Sequence, residues 1–112
     1  MMNIEIKEFT EACIAKGANE DSGNVNPKTD RQYYEIISST YKLLLSNNRL
    51  EELLPLLEHE NPYVQIWAAG YTLQIPDFGA EETLEDISKL KGVIGFTASI
   101  TLQEWRKGAL HF

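Results

Sequence analysis

Carboxylates are the side chains whose type and spacing could support chemistry in this sequence. They form two groups: Glu51, Glu52, Glu58 and Glu60, and then Glu81, Glu82, Glu85 and Asp86. A carboxylate pair performs acid–base catalysis only where burial separates the two pKa values. Both groups are predicted at helix starts and on outer faces, where acidic residues in a first turn favourably oppose the helix dipole. The pattern therefore indicates a solvated surface or a docking surface for a basic partner, and no catalytic pair.

Histidine and cysteine add no recognisable reactive site. Glu58, His59 and Glu60 are adjacent, and adjacent helical residues point in different directions, so they cannot close on one metal ion. His59 is predicted to be a surface or capping residue, as is His111. Cys13 has no basic neighbour nearer along its helix than Lys16, which predicts a buried packing residue and not a nucleophile. We expect no enzymatic activity, no metal and no cofactor.

Composition narrows the class of partner. The chain has 112 residues, 43% of them hydrophobic, and a net charge of −7. Residues 49–91 hold nine of the 17 acidic residues, so the imbalance is concentrated in one central stretch. Such a surface repels phosphate backbones and attracts basic proteins, which disfavours direct nucleic-acid binding. No apolar run approaches the roughly 18 residues of a membrane helix. The start of the sequence shows no export signal, and with its lone cysteine the chain is expected to be cytoplasmic.

Apolar residues recur at helical spacing in six segments, which predicts about six helices and no strand. The segments are 3–16, 27–46, a third that begins near 49, 63–73, 80–90 and 93–107. Asn26-Pro27 and Asn61-Pro62 each place a capping side chain before a proline, as is typical of helix starts. Pro55 lies inside the third segment and predicts a kink or a short helix. Residues 17–26 are rich in turn formers and predict a mobile loop.

An internal similarity relates the last two helix pairs. Residues 67–73 align with residues 96–102 at an offset of 29, and Leu53 and Leu56 align with Leu84 and Ile87 at an offset of 31. Repeated amphipathic pairs bury their apolar faces by stacking. We therefore predict a single all-α domain, residues 1–112. Its N-terminal helices occupy residues 1–48, and two HEAT-like antiparallel pairs in residues 49–108 form a short right-handed array like those of HEAT and armadillo proteins.

Short sequence motifs support a family resemblance over roughly residues 40–110. The segment 59–69, HENPYVQIWAA, looks like the second-helix core of a HEAT-like repeat. Together with residues 92–96 and 102–108, it resembles a family of small bacterial helical proteins that includes immunity proteins of contact-dependent growth inhibition toxin systems. The sequence departs from a typical HEAT unit at Gln65, where arginine is commoner, and in its short period. Within residues 92–96, Gly92-Val93-Ile94-Gly95 predicts a helix stop followed by close helix packing.

The resemblance implies a specific function. We expect an immunity protein that binds the C-terminal domain of a cognate bacterial toxin and neutralises it by occlusion, a basic nuclease domain such as an RNase being the expected target. The alternative is a non-catalytic helical adaptor for another endogenous protein. A HEAT-like nucleic-acid enzyme would need a basic groove. Tyr63 follows a helix cap, where an aromatic residue suits an interface. The predicted partner-binding residues are Glu51, Glu52, Glu58, Glu60, Tyr63, Glu81, Glu82, Glu85 and Asp86.

Overall fold

The structure, a computed structural model, describes residues 3–76 and 79–110 and is helical throughout its regular elements. No strand occurs in these two ranges, which confirms the predicted all-α fold class. The described ranges contain five α-helices and one 3₁₀ helix. In chain order they are α1 (Ile4–Asp21), α2 (Pro27–Ser46), the 3₁₀ helix (Leu50–Glu58), α3 (Pro62–Thr72), α4 (Ala80–Ser88) and α5 (Val93–Arg106).

The chain divides into two compact units, residues 1–53 (the N-terminal unit) and residues 54–112 (the C-terminal unit). In the N-terminal unit α1 and α2 pack against each other. Fully buried side chains of both helices form their core, among them Phe9, Cys13, Ile37 and Leu44. This small core is largely apolar because successive turns of each helix contribute apolar side chains to the shared face.

Asparagine caps open three of the helices. Asn26 accepts backbone N–H bonds from Lys28 and Thr29 at 3.1 and 3.2 Å, and Pro27 takes the first helical position. Asn61 accepts from Tyr63 N at 2.8 Å ahead of α3. Each cap satisfies amide groups that have no partner inside the helix. Both Asn-Pro predictions are confirmed, and Asn3 caps α1 in the same way.

The predicted end of the first helix was wrong. α1 continues past Lys16 and Gly17 to Asp21, so that residues 17–21 are helical and only residues 22–26 connect α1 to α2. Gly17 is buried. Lys16 donates to Glu20 one turn later at 2.8 Å, and to Asp30 of α2 at 3.1 Å. These ion pairs and the burial of this turn outweigh the weak helix propensity of glycine.

The third helical segment takes the 3₁₀ form over its whole length, with Pro55 inside it. Proline lacks the amide hydrogen of an α-helical bond and its ring clashes with the preceding turn, which accounts for the local departure from α geometry. The two aligned helix pairs therefore differ in backbone, since the first begins with a 3₁₀ helix and the second with α4.

In the C-terminal unit α4 contacts both α3 and α5, and α3 also contacts α5. α3 is buried around most of its circumference, whereas α4 buries one stripe, Ala80, Leu84 and Ile87. Gly95 is buried at the start of α5, where a Cβ atom would lie 1.9 Å from the carbonyl oxygen of Leu90. The predicted close packing after the Gly92 stop is confirmed.

Candidate functional site

Glu52, one of the predicted partner-binding residues, belongs to an internal network of the N-terminal unit. Its carboxylate accepts hydrogen bonds from Arg49 Nε at 2.7 Å and from Asn3 Nδ2 at 2.7 Å. Arg49 also donates to Glu5 of α1 at 2.6 Å. The hydrogen bond from Arg49 is the largest influence on the pKa of Glu52 and holds it below its usual value. Glu52 therefore joins the 3₁₀ helix to α1, while its neighbour Glu51 is exposed.

Glu81 and Glu85 are one helical turn apart on α4 and share a basic partner. Arg106, in the last turn of α5, donates to Glu85 at 2.5 Å and lies 3.6 Å from Glu81. All three side chains are about half exposed. This ion pair ties the end of α5 to α4, so two of the four predicted carboxylates of α4 are partly neutralised within the protein.

The remaining carboxylates of α4 meet Glu58 around a cavity. Glu58, Glu82 and Asp86 line a cavity of about 400 Å³ together with apolar groups that include Leu57 and Ile87. In the parts of the chain that are described, neither Glu58 nor Glu82 forms an ion pair. Asp86 has one weak contact, 3.7 Å from the exposed Lys89. The structure thus brings together residues that are more than 20 positions apart in sequence.

A second cavity, of about 650 Å³, shares the lining residues Gly79 and Glu82 with the first. Its lining includes Glu81, Glu82, Pro76 and Trp105. Trp105 is partly exposed and presents an aromatic ring beside two carboxylates. This combination suits a cation, because a guanidinium or ammonium group can pair with the carboxylates and lie over the ring.

No lysine or arginine is among the described residues that line either cavity. The charged side chains among these described lining residues are all carboxylates, two of which, Glu81 and Asp86, contact a basic side chain outside the lining. Glu60 is exposed just before α3, and Tyr63 is half-buried in the first turn of α3. Neither residue lines these cavities. Of the nine predicted residues, the structure brings Glu58, Glu81, Glu82 and Asp86 to this pair of cavities.

The predicted interpretations of His59 and Cys13 agree with the structure. His59 Nδ1 accepts the backbone N–H of Asn61 at 3.0 Å, which is a capping role, while His111 lies outside the described residues. Cys13 is a free, fully buried cysteine; burial raises the pKa of its thiol far above the ordinary value, against a smaller lowering effect of Lys16. Over residues 3–76 and 79–110, no group of three His, Cys, Asp or Glu residues could hold a metal ion.

Comparison with known protein families, with curated proteins and with solved structures finds no match to this chain. Among the described helices, none has the length and apolar character needed to cross a bilayer.

Sequence reasoning missed two parts of the candidate site. Trp105 is not among the predicted partner-binding residues, and no local pattern shows that it lines a cavity with Glu81 and Glu82. Gln65 was noted only as a departure from HEAT units. Its side chain lines the first cavity and donates to the carbonyl of Leu57 at 2.9 Å, joining α3 to the 3₁₀ helix.

Proposed function

We propose that this chain is a non-catalytic binding protein that neutralises a bacterial toxin domain, acting as an immunity protein. The family resemblance of residues 40–110 supports the toxin as partner. The single structural observation that carries the binding proposal is the pair of carboxylate-lined cavities that meet at Glu82. Because neither lining includes a described basic residue, the cavities suit a basic partner.

The physical mechanism is electrostatic steering followed by occlusion. A toxin that cleaves nucleic acid has a positively charged surface that holds phosphates. Carboxylates at Glu58, Glu82 and Asp86 would attract that surface from a distance and then occupy it, so that the phosphate backbone cannot bind. A toxin arginine that enters the second cavity would pair with Glu82, which has no ion pair in the described structure, and stack on Trp105.

Two matched double variants test the role of the cavities. Glu58→Lys with Glu82→Lys reverses two carboxylates that have no ion pair in the described structure. Glu8→Lys with Glu11→Lys makes the same charge change on exposed positions of α1, in the N-terminal unit. Each variant is co-expressed with the C-terminal domain of a toxin-like protein whose reading frame adjoins this protein's gene. Growth rescue and the association rate constant are measured.

We expect the unmodified protein and the Glu8/Glu11 variant to restore growth and the Glu58/Glu82 variant to fail. The association rate of the Glu58/Glu82 variant should fall by about tenfold or more at low salt, and the difference should narrow as the salt concentration rises. If the unmodified protein neither rescues growth nor forms a complex with the toxin domain, the immunity function is wrong. Equal association rates for the two variants would remove the cavities from the mechanism.

A helical adaptor for an endogenous protein is the alternative function. It predicts the same dependence on Glu58 and Glu82 for a partner from the host cell, and no protection against any toxin. Affinity purification from the native host, with the unmodified protein and the Glu58/Glu82 variant side by side, distinguishes the two functions. The protein that co-purifies with the unmodified chain but not with the variant should be a toxin for the immunity function and an endogenous protein for the adaptor function.

A further inference from the structure

The outer face of α5 is apolar and uncovered. From Gly92 to Gln103 the sequence carries no charged side chain. Gly95, Ala98 and Leu102 form the buried face of the helix. On the opposite face, Val93 is 70%, Phe96 68% and Ile100 39% exposed. These three residues are spaced at i, i+3 and i+7, so they form one continuous stripe, which we name the α5 outer stripe.

The equivalent positions of α3 show how this stripe is treated elsewhere in the protein. At the repeat offset of 29 residues, Val93 and Ile100 correspond to Val64 and Tyr71. Val64 is 0% and Tyr71 3% exposed. Phe96 corresponds to Trp67, which is half-buried with its ring centroid 6.0 Å from that of Tyr71.

The opposite face is buried in both α3 and α5. Ile66, Ala69 and Leu73 of the first copy are buried, and so are their counterparts Gly95, Ala98 and Leu102. A helical surface without charged residues is stable in water only where most of it is covered. α3 meets that condition on both faces and α5 on one, so the α5 outer stripe has the composition of an interface.

α4 shows which kind of helix covers α5 in this molecule. It buries Ala80, Leu84 and Ile87 and carries carboxylates beside that stripe. Two of those carboxylates, Glu81 and Glu85, contact Arg106 at the end of α5. The packing of α4 on α5 thus combines an apolar contact with ion pairs between carboxylates of α4 and a basic residue of α5.

Basic residues border the outer stripe at both ends. Lys89 and Lys91 are exposed in the turn that precedes α5. Lys107 follows Ile100 by seven residues, which continues the line of the stripe, and it is exposed. Glu104 is the one acidic residue of α5 and is half-buried. The lysines thus place positive charge at both ends of the stripe, although Lys89 also lies 3.7 Å from Asp86 and Glu104 follows Ile100 by four residues on the line of the stripe.

We propose that the α5 outer stripe binds an amphipathic helix of another protein, with an apolar face flanked by carboxylates in the manner of α4. The apolar face would cover Val93, Phe96 and Ile100, and the carboxylates would pair with the lysines at the two ends. Parallel pairing with a second copy of this chain would bring the lysines of the two stripes together, and antiparallel pairing is the competing arrangement that the measurement of oligomeric state tests. This surface is distinct from the two acidic cavities and does not depend on the toxin proposal.

A designed peptide pair tests the proposal. The first is a 20-residue helical peptide, a length chosen for adequate isolated helicity, with leucines at i, i+3 and i+7 and glutamates beside them. The second replaces every glutamate by lysine. Binding to the full chain is measured by fluorescence anisotropy, and the oligomeric state of the chain by sedimentation. We expect the glutamate peptide to bind, the lysine peptide to bind more weakly by about tenfold or more, and the chain to be monomeric.

Variants locate the binding on α5. Phe96→Glu should weaken binding of the glutamate peptide by about tenfold or more. Val93→Glu should act in the same direction while retaining the helix, because an acidic residue suits the first turn. Leu43→Glu, at an exposed apolar position of α2, is the matched control and should leave binding unchanged. Lys107→Glu should weaken binding by about threefold.

Three results would overturn the proposal: equal binding of the two peptides, equal loss in the Leu43 control, or a dimer that Phe96→Glu converts to a monomer. The last would assign the stripe to a second copy of the chain.

Discussion

The ammonium group of Lys16 lies 3.1 Å from Oδ1 of Asp30, which joins α1 to α2 at the end where the connecting loop begins. The same ammonium lies 2.8 Å from Glu20, and the lysine side chain is almost fully buried. Burial acts to lower the pKa of Lys16, but hydrogen bonds to Glu20 and Asp30 outweigh it, and the net pKa is raised.

Lys16→Met should therefore lower the free energy of unfolding by about 1–2 kcal/mol, because two partly buried carboxylates lose their cation. Urea denaturation at neutral pH measures it. The matched control is Arg31→Met, which removes an exposed cation 3.8 Å from Glu35 and should change stability by less than about 0.5 kcal/mol. A loss in the control equal to that of Lys16→Met would contradict the assignment.

The pH dependence of Lys16 has a definite sign. A raised folded-state pKa stabilises the fold fully below the unfolded-state pKa of lysine, about 10.4, and this contribution is lost as pH rises through the folded-state value. The stability difference between the unmodified protein and Lys16→Met should therefore stay constant from neutral pH to about 10 and shrink above it.

The stabilising contribution of Glu52, unlike that of Lys16, should be lost at acidic pH. Its pKa is held down, first by the hydrogen bond from Arg49 and further by that from Asn3. Its stabilising contribution is therefore present above the unfolded-state value of glutamate, about 4.3, and is lost as pH falls through the lower folded-state value. Glu52→Gln should be less stable than the unmodified protein at neutral pH, and the two should converge under acidic conditions.

Glu51→Gln is the control for that experiment, since Glu51 is adjacent and exposed. Its unfolding should follow the unmodified protein across the same pH series. If Glu52→Gln also follows it, the Arg49 network adds no measurable stability.

These networks show what the sequence could and could not predict. The Asn-Pro caps and the Gly92–Gly95 stop act within one helical turn, so the local sequence was sufficient to predict them. The Arg49–Glu5 pair joins residues 44 positions apart, and no local pattern reveals it. The extension of α1 through Gly17 was missed for the same reason, because it depends on the contact between Lys16 and Asp30.

The sequence was sufficient to name the carboxylates of the candidate site, but not to predict which of them lie together in space. All four carboxylates of α4 were predicted to bind a partner. Helical spacing alone does not show that Arg106 forms ion pairs with Glu81 and Glu85. Nor does it show that Glu82 and Asp86 line a cavity with Glu58. That division depends on where α5 ends relative to α4. The apolar periodicity of α5 was recognised from the sequence. Whether its outer stripe is exposed depends on which other helices pack against α5, and a sequence pattern does not show that.

Cys13 should be unreactive in the folded protein. It is fully buried and its thiol pKa is raised by burial, so both access and thiolate formation are suppressed. We expect its reaction with a chromogenic disulfide reagent at mildly alkaline pH to be slower than that of the urea-unfolded chain by about a hundredfold or more, since reaction requires transient opening. A native rate within a few-fold of the unfolded rate would show that α1 does not protect this position.

Gly95 provides the sharpest test of the packing between α4 and α5. A Cβ atom there would lie 1.9 Å from the carbonyl oxygen of Leu90 and 2.9 Å from its carbonyl carbon, and backbone atoms cannot move aside as a side chain can. Gly95→Ala should therefore lower the free energy of unfolding by about 2–4 kcal/mol, although alanine favours helices.

Gly108→Ala separates this steric effect from backbone strain. Gly108 has φ of +73° with open space around its missing Cβ, so alanine there meets conformational strain alone. Its expected cost is about 1 kcal/mol. Thermal unfolding followed by far-UV circular dichroism compares both variants with the unmodified protein. A loss at Gly95 no larger than that at Gly108 would mean that the turn after α4 can shift away from α5, and the close approach of Leu90 to Gly95 would then not be a fixed feature of the fold.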